Sequence, residues 1–402
     1  MSRPSQGSRA PGGRPDILFP YKLRLVLFIP KLVWVRFGGP TWTWGTCCCS
    51  KDEEESHVNV ELFRKLVSTP GISGREERIR KVVREEVEPL VDEISVDPLG
   101  NLTAFRKGRG PRLMLAAHVD SIGFLVSHID DDGFIRISPI GGFDARTLVM
   151  QRVLVQGRKD YVGLLAPASK PIHLLSEEDR KRPLKLEDLF IDLMLEPDEV
   201  KTNISVGDPV SMLREPLITD RSITAPYLDD RLGVYVLIES LRKARDTKVA
   251  LSSVFSVQEE VGLRGAATSA FGAEPEMGIA IDVTIAGDLP GADKSQQVSA
   301  LGKGVAIGLM DASAISDPRL VARFKELASA SQIEHQMEIL PQGGTDAGAI
   351  QMSRAGVPVI TISIPVRYVH TVNETALISD VDATVELMGK FLETAHELEL
   401  TW

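Results

Sequence analysis

Five places in this 402-residue chain carry residue types that could do hydrolytic chemistry: His118-Val-Asp120, Asp229-Asp230, Glu259-Glu260, Asp282 and His370. Two imidazoles and several carboxylates are what a pair of hard-to-borderline divalent ions takes. Each ion needs one imidazole and one carboxylate, and a further carboxylate bridges the two. Such ions, about 3.5 to 4 Å apart, clamp attacking and leaving oxygens and lower the pKa of a shared water towards 7. His118 and Asp120 are two apart in the strand direction and so share a face. The Asp120 carboxylate could then accept the second ring N–H of His118, fixing its tautomer. In Glu259-Glu260 one acid can bind metal while its neighbour acts as general base.

Taken singly each signal is weak. An HxD triplet arises by chance, Asp-Asp marks turns and caps, and Glu-Glu usually sits on a solvated face. The metal reading gains ground because Glu259-Glu260 follow a run that reads as buried, Leu251–Val257, and Asp282 follows Met277–Ile281. Uncompensated carboxylates are costly there. His57, His128, His173, His335 and His396 have no such neighbours and read as surface or structural residues.

The elements that must position these groups follow from pattern. Arg112–Ala117 is a continuous apolar run of strand length, the mark of a strand buried on both faces, with His118 at its end. Val60–Val67 predicts a short helix. Ser73 with Glu76 predicts a capping box opening a helix towards Val91. From Gly123 to Met212 short β-branched runs (Phe134–Ile137, Arg152–Gln156, Tyr161–Leu165) separated by Asp-Asp-Gly, Gly-Gly and Gly-Arg predict a small β-rich unit. After Thr224 helices alternate with buried strands: helix Asp230–Arg245, strand Val249–Val257, a helix over Leu263–Phe271, and strand Met277–Ile281. A helix opened by Asp317-Pro318, strand Val357–Ile364 and a last helix from Asp380 complete the pattern. Open α/β sheets bind ligands outside the carboxyl ends of their strands, so residues far apart in sequence can converge there.

Composition sets the outer limits. Charged residues make up 25%, hydrophobic residues 43%, and the net charge is −10, a balance that argues against a general nucleic-acid binder. All three cysteines are consecutive, Cys47–Cys49. The downstream chain therefore has no disulfide framework, thiolate ligand or cysteine nucleophile, and its chemistry rests on His, carboxylates and hydroxyls. Residues 1–50 hold seven Lys/Arg and one acid, a charge of +6, which leaves −16 for the remainder. Lys22, Arg24, Lys31 and Arg36 interrupt the apolar part of this leader, and Pro20 and Pro30 break it, so it spells neither a membrane span nor a signal peptide. Palmitoylation of the cysteines is a lesser reading. The expectation is that residues 1–57 are translated upstream sequence and that the working protein begins near Val58 or Val60, in the cytoplasm.

The ordered stretches Ala117–Phe124, Leu228–Gly233, Val257–Ala266, Ala280–Thr284, and Gly343–Ala347 with Ile364–His370 resemble the tetrahedral (TET) aminopeptidases, the glutamyl, leucyl and deblocking enzymes that are dinuclear metallopeptidases. The resemblance covers roughly Val60–Leu398. It implies that His118 and Asp282 hold one metal and Glu260 and His370 the other, with Asp229 bridging. Glu259 would be the general base, Asp120 an orienting acid, and the Asp229–Asp230 bond cis. The ions would be Zn2+ or Co2+, and short peptides would be trimmed from the amino end by a metal-bridging hydroxide.

The implied fold is α/β, a mixed sheet flanked by helices in a phosphorylase/hydrolase-like catalytic domain (58–122 and 219–402). A small β-barrel-like dimerisation domain (123–218) is inserted in it, and dimers build a dodecameric hollow tetrahedron. Three departures stand out: residues 1–57 have no counterpart, Leu193-Met194 replaces Ile-Gly, and Thr371-Val-Asn373 replaces a small residue and proline. Arg367 and Asp346 could touch substrate or form a buried pair that orients their two loops. A metal-dependent deacylase or carboxypeptidase is the nearest alternative. An endoglucanase would need a carboxylate pair flanking a sugar and no two-histidine cluster. A scaffold without chemistry would have little reason to keep all five ligands and the base.

Overall fold

The computed structural model describes residues 58–170, 172–398 and 400. The expectations about the leader, including Cys47–Cys49 and His57, lie outside the described residues. In chain order, β1 Glu93–Val96, β2 Leu102–Arg106 and β3 Arg112–His118 come first. They are followed by β4 Gly123–Ile129, β5 Ile135–Ile140, β6 Gln151–Gln156, β7 Asp160–Pro167, β8 Leu189–Asp192 and β9 Pro209–Met212. Next come β10 Leu217–Ile218, β11 Ser222–Ala225, β12 Ala250–Ser256 and β13 Met277–Ile285. The last are β14 Val305–Met310, β15 His335–Ile339, β16 Val359–Val366 and β17 Glu374–Leu377.

The main sheet runs β1-β2-β12-β3-β13-β16-β14-β15. Its four central strands β12, β3, β13 and β16 are parallel, and antiparallel pairs at β1–β2, β2–β12 and β14–β16 make it mixed. The four parallel strands are buried along most of their length because both faces are covered; β3 is the most continuously apolar, whereas β12 carries Ser252, Ser253 and Ser256 and β16 carries Thr361 and Ser363. Along β3, Leu113, Leu115 and Ala117 join the large core beneath helix Leu228–Lys243. The alternate residues Met114 and Ala116 face a thinner core of Ala266, Ala270, Ala280, Ala347 and Ile350. Small side chains there let helices Arg264–Ala273 and Asp346–Gln351 lie close to the sheet.

The six strands β4-β5-β8-β7-β6-β9 close into a barrel, which leaves no unpaired strand edge. Its own core includes Phe124, Val126, Val153, Val155, Leu165 and Ile191, and Phe124 stacks on Phe143 at 4.3 Å. Tyr227 ties this unit to the sheet's functional end, since its hydroxyl donates to the Met212 carbonyl at 2.6 Å. Met194, which stands where the resembling family has glycine, takes φ +56° and is 64% exposed. A left-handed backbone at a residue with a Cβ costs roughly 1–2 kcal/mol.

Several local expectations need correction. Ser73 caps no helix: its hydroxyl donates to the Asp120 carboxylate at 2.6 Å, and helix Glu77–Val87 starts after Glu76 with no side-chain cap. A buried carboxylate needing donors outcompetes a helix end that water can satisfy. That helix stops at Val87, and a 3-10 turn Glu88–Leu90 containing Pro89 replaces the expected continuation. β13 runs on through Asp282 to Ile285 because its pairing with β16 continues to Val366. Helix Leu228–Lys243 is kinked at Asp229 and Asp230, whose backbone angles are non-helical, so its regular turns start just after Asp230, close to the expected start. Asp317 does cap its helix, accepting from the Arg319 N–H with Pro318 in the first turn.

Gly265 opens the helix that follows Glu259-Glu260. A Cβ at this position would lie 2.3 Å from the Val257 carbonyl oxygen, 2.6 Å from its nitrogen and 2.2 Å from Asn101 Oδ1. Two of these are backbone atoms that cannot swing aside. Gly265→Ala is expected to destabilise the protein by about 1–3 kcal/mol and to displace the Glu259 loop; a denaturant midpoint equal to that of the parent protein would contradict this.

Candidate metal centre

The parallel strands end together, and each delivers acid or imidazole to one cleft of about 540 Å3. His118 closes β3, opposite Ser256 of β12. Asp282 lies within β13 opposite Ser363 of β16. Glu259 and Glu260 sit on the turn after β12. His370 follows β16 in a left-handed conformation, φ +63°. Asp229 enters from the start of the long core helix, where the Asp229–Asp230 peptide is cis.

The donor atoms fall into two groups, His118–Asp229–Asp282 and Asp229–Glu260–His370, each within 4.8 Å. Asp229 belongs to both: its Oδ1 lies 3.1 Å from His118 Nε2 and its Oδ2 3.4 Å from His370 Nε2. Glu260 Oε2 lies 3.3 Å from His370 Nε2, and Glu259 Oε2 lies 3.8 Å from His118 Nε2. The structure thus brings together all five sequence-predicted metal ligands, with Glu259 beside them.

Asp120 stands behind the cleft, fully buried. Its carboxylate accepts the N–H groups of Glu259 at 3.0 Å and Glu260 at 3.2 Å, together with the Ser73 hydroxyl. The expected bond to the imidazole takes another form. His118 Nδ1 lies 3.1 Å from the Asp120 main-chain carbonyl, whereas the carboxylate is 3.6 Å away. Either acceptor fixes the tautomer that leaves Nε2 facing the cleft. The carboxylate is thereby free to hold the turn that carries both glutamates.

Two supporting residues, Glu374 and Arg231, escaped the sequence reading, and Asp230, noted there only as half of Asp229-Asp230, proves to support the site. Glu374 accepts the Asp229 N–H at 3.0 Å and the His370 N–H at 2.7 Å. Asp230 accepts from the His118 N–H at 3.2 Å and the Gly233 N–H at 2.9 Å. Arg231, wholly buried beneath the site, donates to the Leu66 and Thr69 carbonyls. Nothing local marks Glu374, which is one acid in a short strand four residues past His370. Arg231 follows a double aspartate and reads as a surface helix residue until the fold buries it. The supposed Arg367–Asp346 pair does not form: Arg367 binds Asp288 through two bonds of 2.6 and 2.7 Å, while the Ser256 hydroxyl donates to Asp346.

Electrostatics favours a cation. Burial pushes the Asp282 and Glu259 carboxyls well up, and neighbouring acids add to the shift. Burial would lower His370, yet Asp229 and Glu260 outweigh it and raise the imidazole to about 11. Asp229 is held down by His118 and His370 despite its burial. Glu260 Oε1 is buried without a hydrogen-bond partner. An orphaned oxygen among crowded carboxylates and two imidazoles is a donor set that fits divalent metal.

Fold and cleft define the class: an α/β protein that presents metal donors at the carboxyl ends of parallel strands. The family follows from comparison with known proteins. The family model described as M42 glutamyl aminopeptidase matches residues 100–387, and the chain belongs to that family of peptidases, which are hydrolases. A lysyl aminopeptidase of Pyrococcus furiosus is 36% identical, the match covering 86% of this chain and 99% of the relative. An aminopeptidase structure from the archaeon Desulfurococcus kamchatkensis superposes with TM-score 0.79 at 38% identity, over 83% of this chain and 94% of that one. The Pyrococcus horikoshii TET1 peptidase, described as assembling into a tetrahedron or a large octahedral shell, matches with TM-score 0.73 at 31% identity, over 83% and 98%. The fold expectation of a mixed α/β sheet with a β-barrel holds.

Glu374→Gln keeps the shape but turns one acceptor into a donor facing an N–H. It is expected to weaken metal affinity about 10–100-fold, measured by competition with a chromogenic chelator. Parent-like affinity would remove Glu374 from the support of the site.

Proposed function

We propose that the protein is a dinuclear metalloaminopeptidase that removes the first residue from short peptides. The observation that carries this reading is Asp229, whose two oxygens serve two separate donor groups. His118 and Asp282 would hold one divalent ion and Glu260 and His370 the other, with Asp229 bridging; Zn2+ or Co2+ suits the imidazole–carboxylate mixture. The ions, when bound, supply Lewis-acid polarisation and acidify water.

The chain's own residues do the rest. Glu259 reaches into the cleft with its N–H fastened to Asp120, so its carboxylate is held where it can take a proton from the attacking water and return it to the leaving amine. Burial and nearby acids raise its affinity for that proton. The Asp120 carboxylate and Glu374 keep ligand-bearing turns from drifting. A deacylase or carboxypeptidase on the same donors would differ in not requiring a free substrate amine.

The test is hydrolysis of aminoacyl chromogenic substrates. A chelator should abolish activity and added Zn2+ or Co2+ restore it. Restoration should strengthen as pH rises, because His370 sheds a proton to bind metal. Glu259→Ala should lose about 100-fold or more in kcat while keeping its metal content. Chelator-resistant turnover, or an active Glu259 variant, would refute the mechanism.

Assembly belongs to the same proposal. Met150, Val162, Leu174 and Val206 of the barrel region are each about half exposed or more. Together with the shell-forming relative, they support a dimerising barrel and a dodecamer built from dimers. Native mass spectrometry should find twelve subunits, and a monomer would exclude the shell.

A further inference from the structure

The cleft has a wall that the chemistry above leaves unused. Beyond the candidate metal centre it is lined by Val283–Ile285 at the end of β13, by Leu340 and the Gln342–Thr345 loop, and by Leu263 and Val369. Every ionisable side chain in the lining belongs to the candidate metal centre, while the rest is aliphatic, glycine or neutral polar. Arg367 lies on the loop that carries His370, but its guanidinium is closed off by Asp288. The wall grades from Leu340, 8% exposed, to Ile285 at 49%. Its inner end is buried and its rim is exposed.

We propose that this wall is the subsite for the first side chain of the peptide and that it selects neutral, apolar residues of leucine or phenylalanine type. The proposal rests on the aminopeptidase reading and deepens it. With the charge of two divalent ions matched by the four carboxylates of the cleft, a glutamyl side chain would find no spare positive charge, and among the described residues no Lys or Arg lines that cleft to receive it. A lysyl side chain would meet only carboxylates already engaged as metal donors or as the base. An aliphatic or aromatic side chain instead covers Leu263, Val283, Ile285, Leu340 and Val369, and each buried methylene raises binding roughly fourfold. The volume of about 540 Å3 accommodates one large side chain with the scissile bond beside the metal donors.

The experiment uses the full chain loaded with Zn2+ or Co2+ and the 4-nitroanilides of Leu, Phe, Ala, Glu and Lys. The expected result is a kcat/KM for Leu and Phe about 100-fold or more above that for Glu and Lys. Best turnover of Glu or Lys would overturn the subsite and leave the aminopeptidase reading standing. Failure to cleave any of the five would overturn both. Ile285→Lys and Gln342→Lys, both at exposed positions, place a cation on the wall. At least one should raise the Glu:Leu ratio of kcat/KM by about tenfold; if neither moves the ratio, this wall is not the subsite.

Discussion

Mutual repulsion among Asp229, Glu259, Glu260 and Asp282 is the interaction around which the sheet's functional end is arranged. Buried carboxylates this close either take up protons or find positive charge. In the metal-free protein the positive charge comes from the two imidazoles, and His370 is raised to about 11 for that reason. The wholly buried Arg231 lies below, drawn down to about 10 by its surroundings. Divalent metal held by the same donors would answer that repulsion more strongly.

The support for this cluster consists mainly of backbone donors. Asp120 takes the N–H groups of Glu259 and Glu260, Glu374 those of Asp229 and His370, and Asp230 that of His118. Asp120 is held below the usual carboxylate range despite its burial, by His118 and Ser73 among others, so its bonds are charge-assisted and roughly twice as strong as neutral ones. Each fixes where a ligand-bearing residue starts rather than where its side chain ends. The turns that carry the candidate metal donors are thereby held in place by main-chain bonds. Gly265 serves the same purpose sterically, letting the helix after Glu260 approach β12.

The barrel meets this region through Tyr227, which bonds the end of β9 two residues before Asp229. An inserted unit is thereby anchored next to the residue shared by both donor groups. The apolar wall is built from strand and loop residues outside the barrel that take no part in the donor set.

The sequence by itself determined the parallel strands, since runs such as Arg112–Ala117 have no polar face to offer water. It also singled out the candidate metal-binding residues, because runs that lead into His118, Glu259 and Asp282 leave few other uses for those residues. The ordered motifs made the family legible as well.

Only the tertiary structure decided how the ligands are held. Glu374 and Arg231 carry no local signal, since their importance comes from backbone groups and charges that are distant in sequence. Ser73 fits a capping motif and serves a carboxylate instead, because a buried acid gains more from a donor than an exposed helix end does. Arg367 sits where a substrate contact would be expected, and folding gives it Asp288. Periodicity and residue type report what a segment must bury. Which partner satisfies a polar group depends on which chain segments the fold brings within 3 Å.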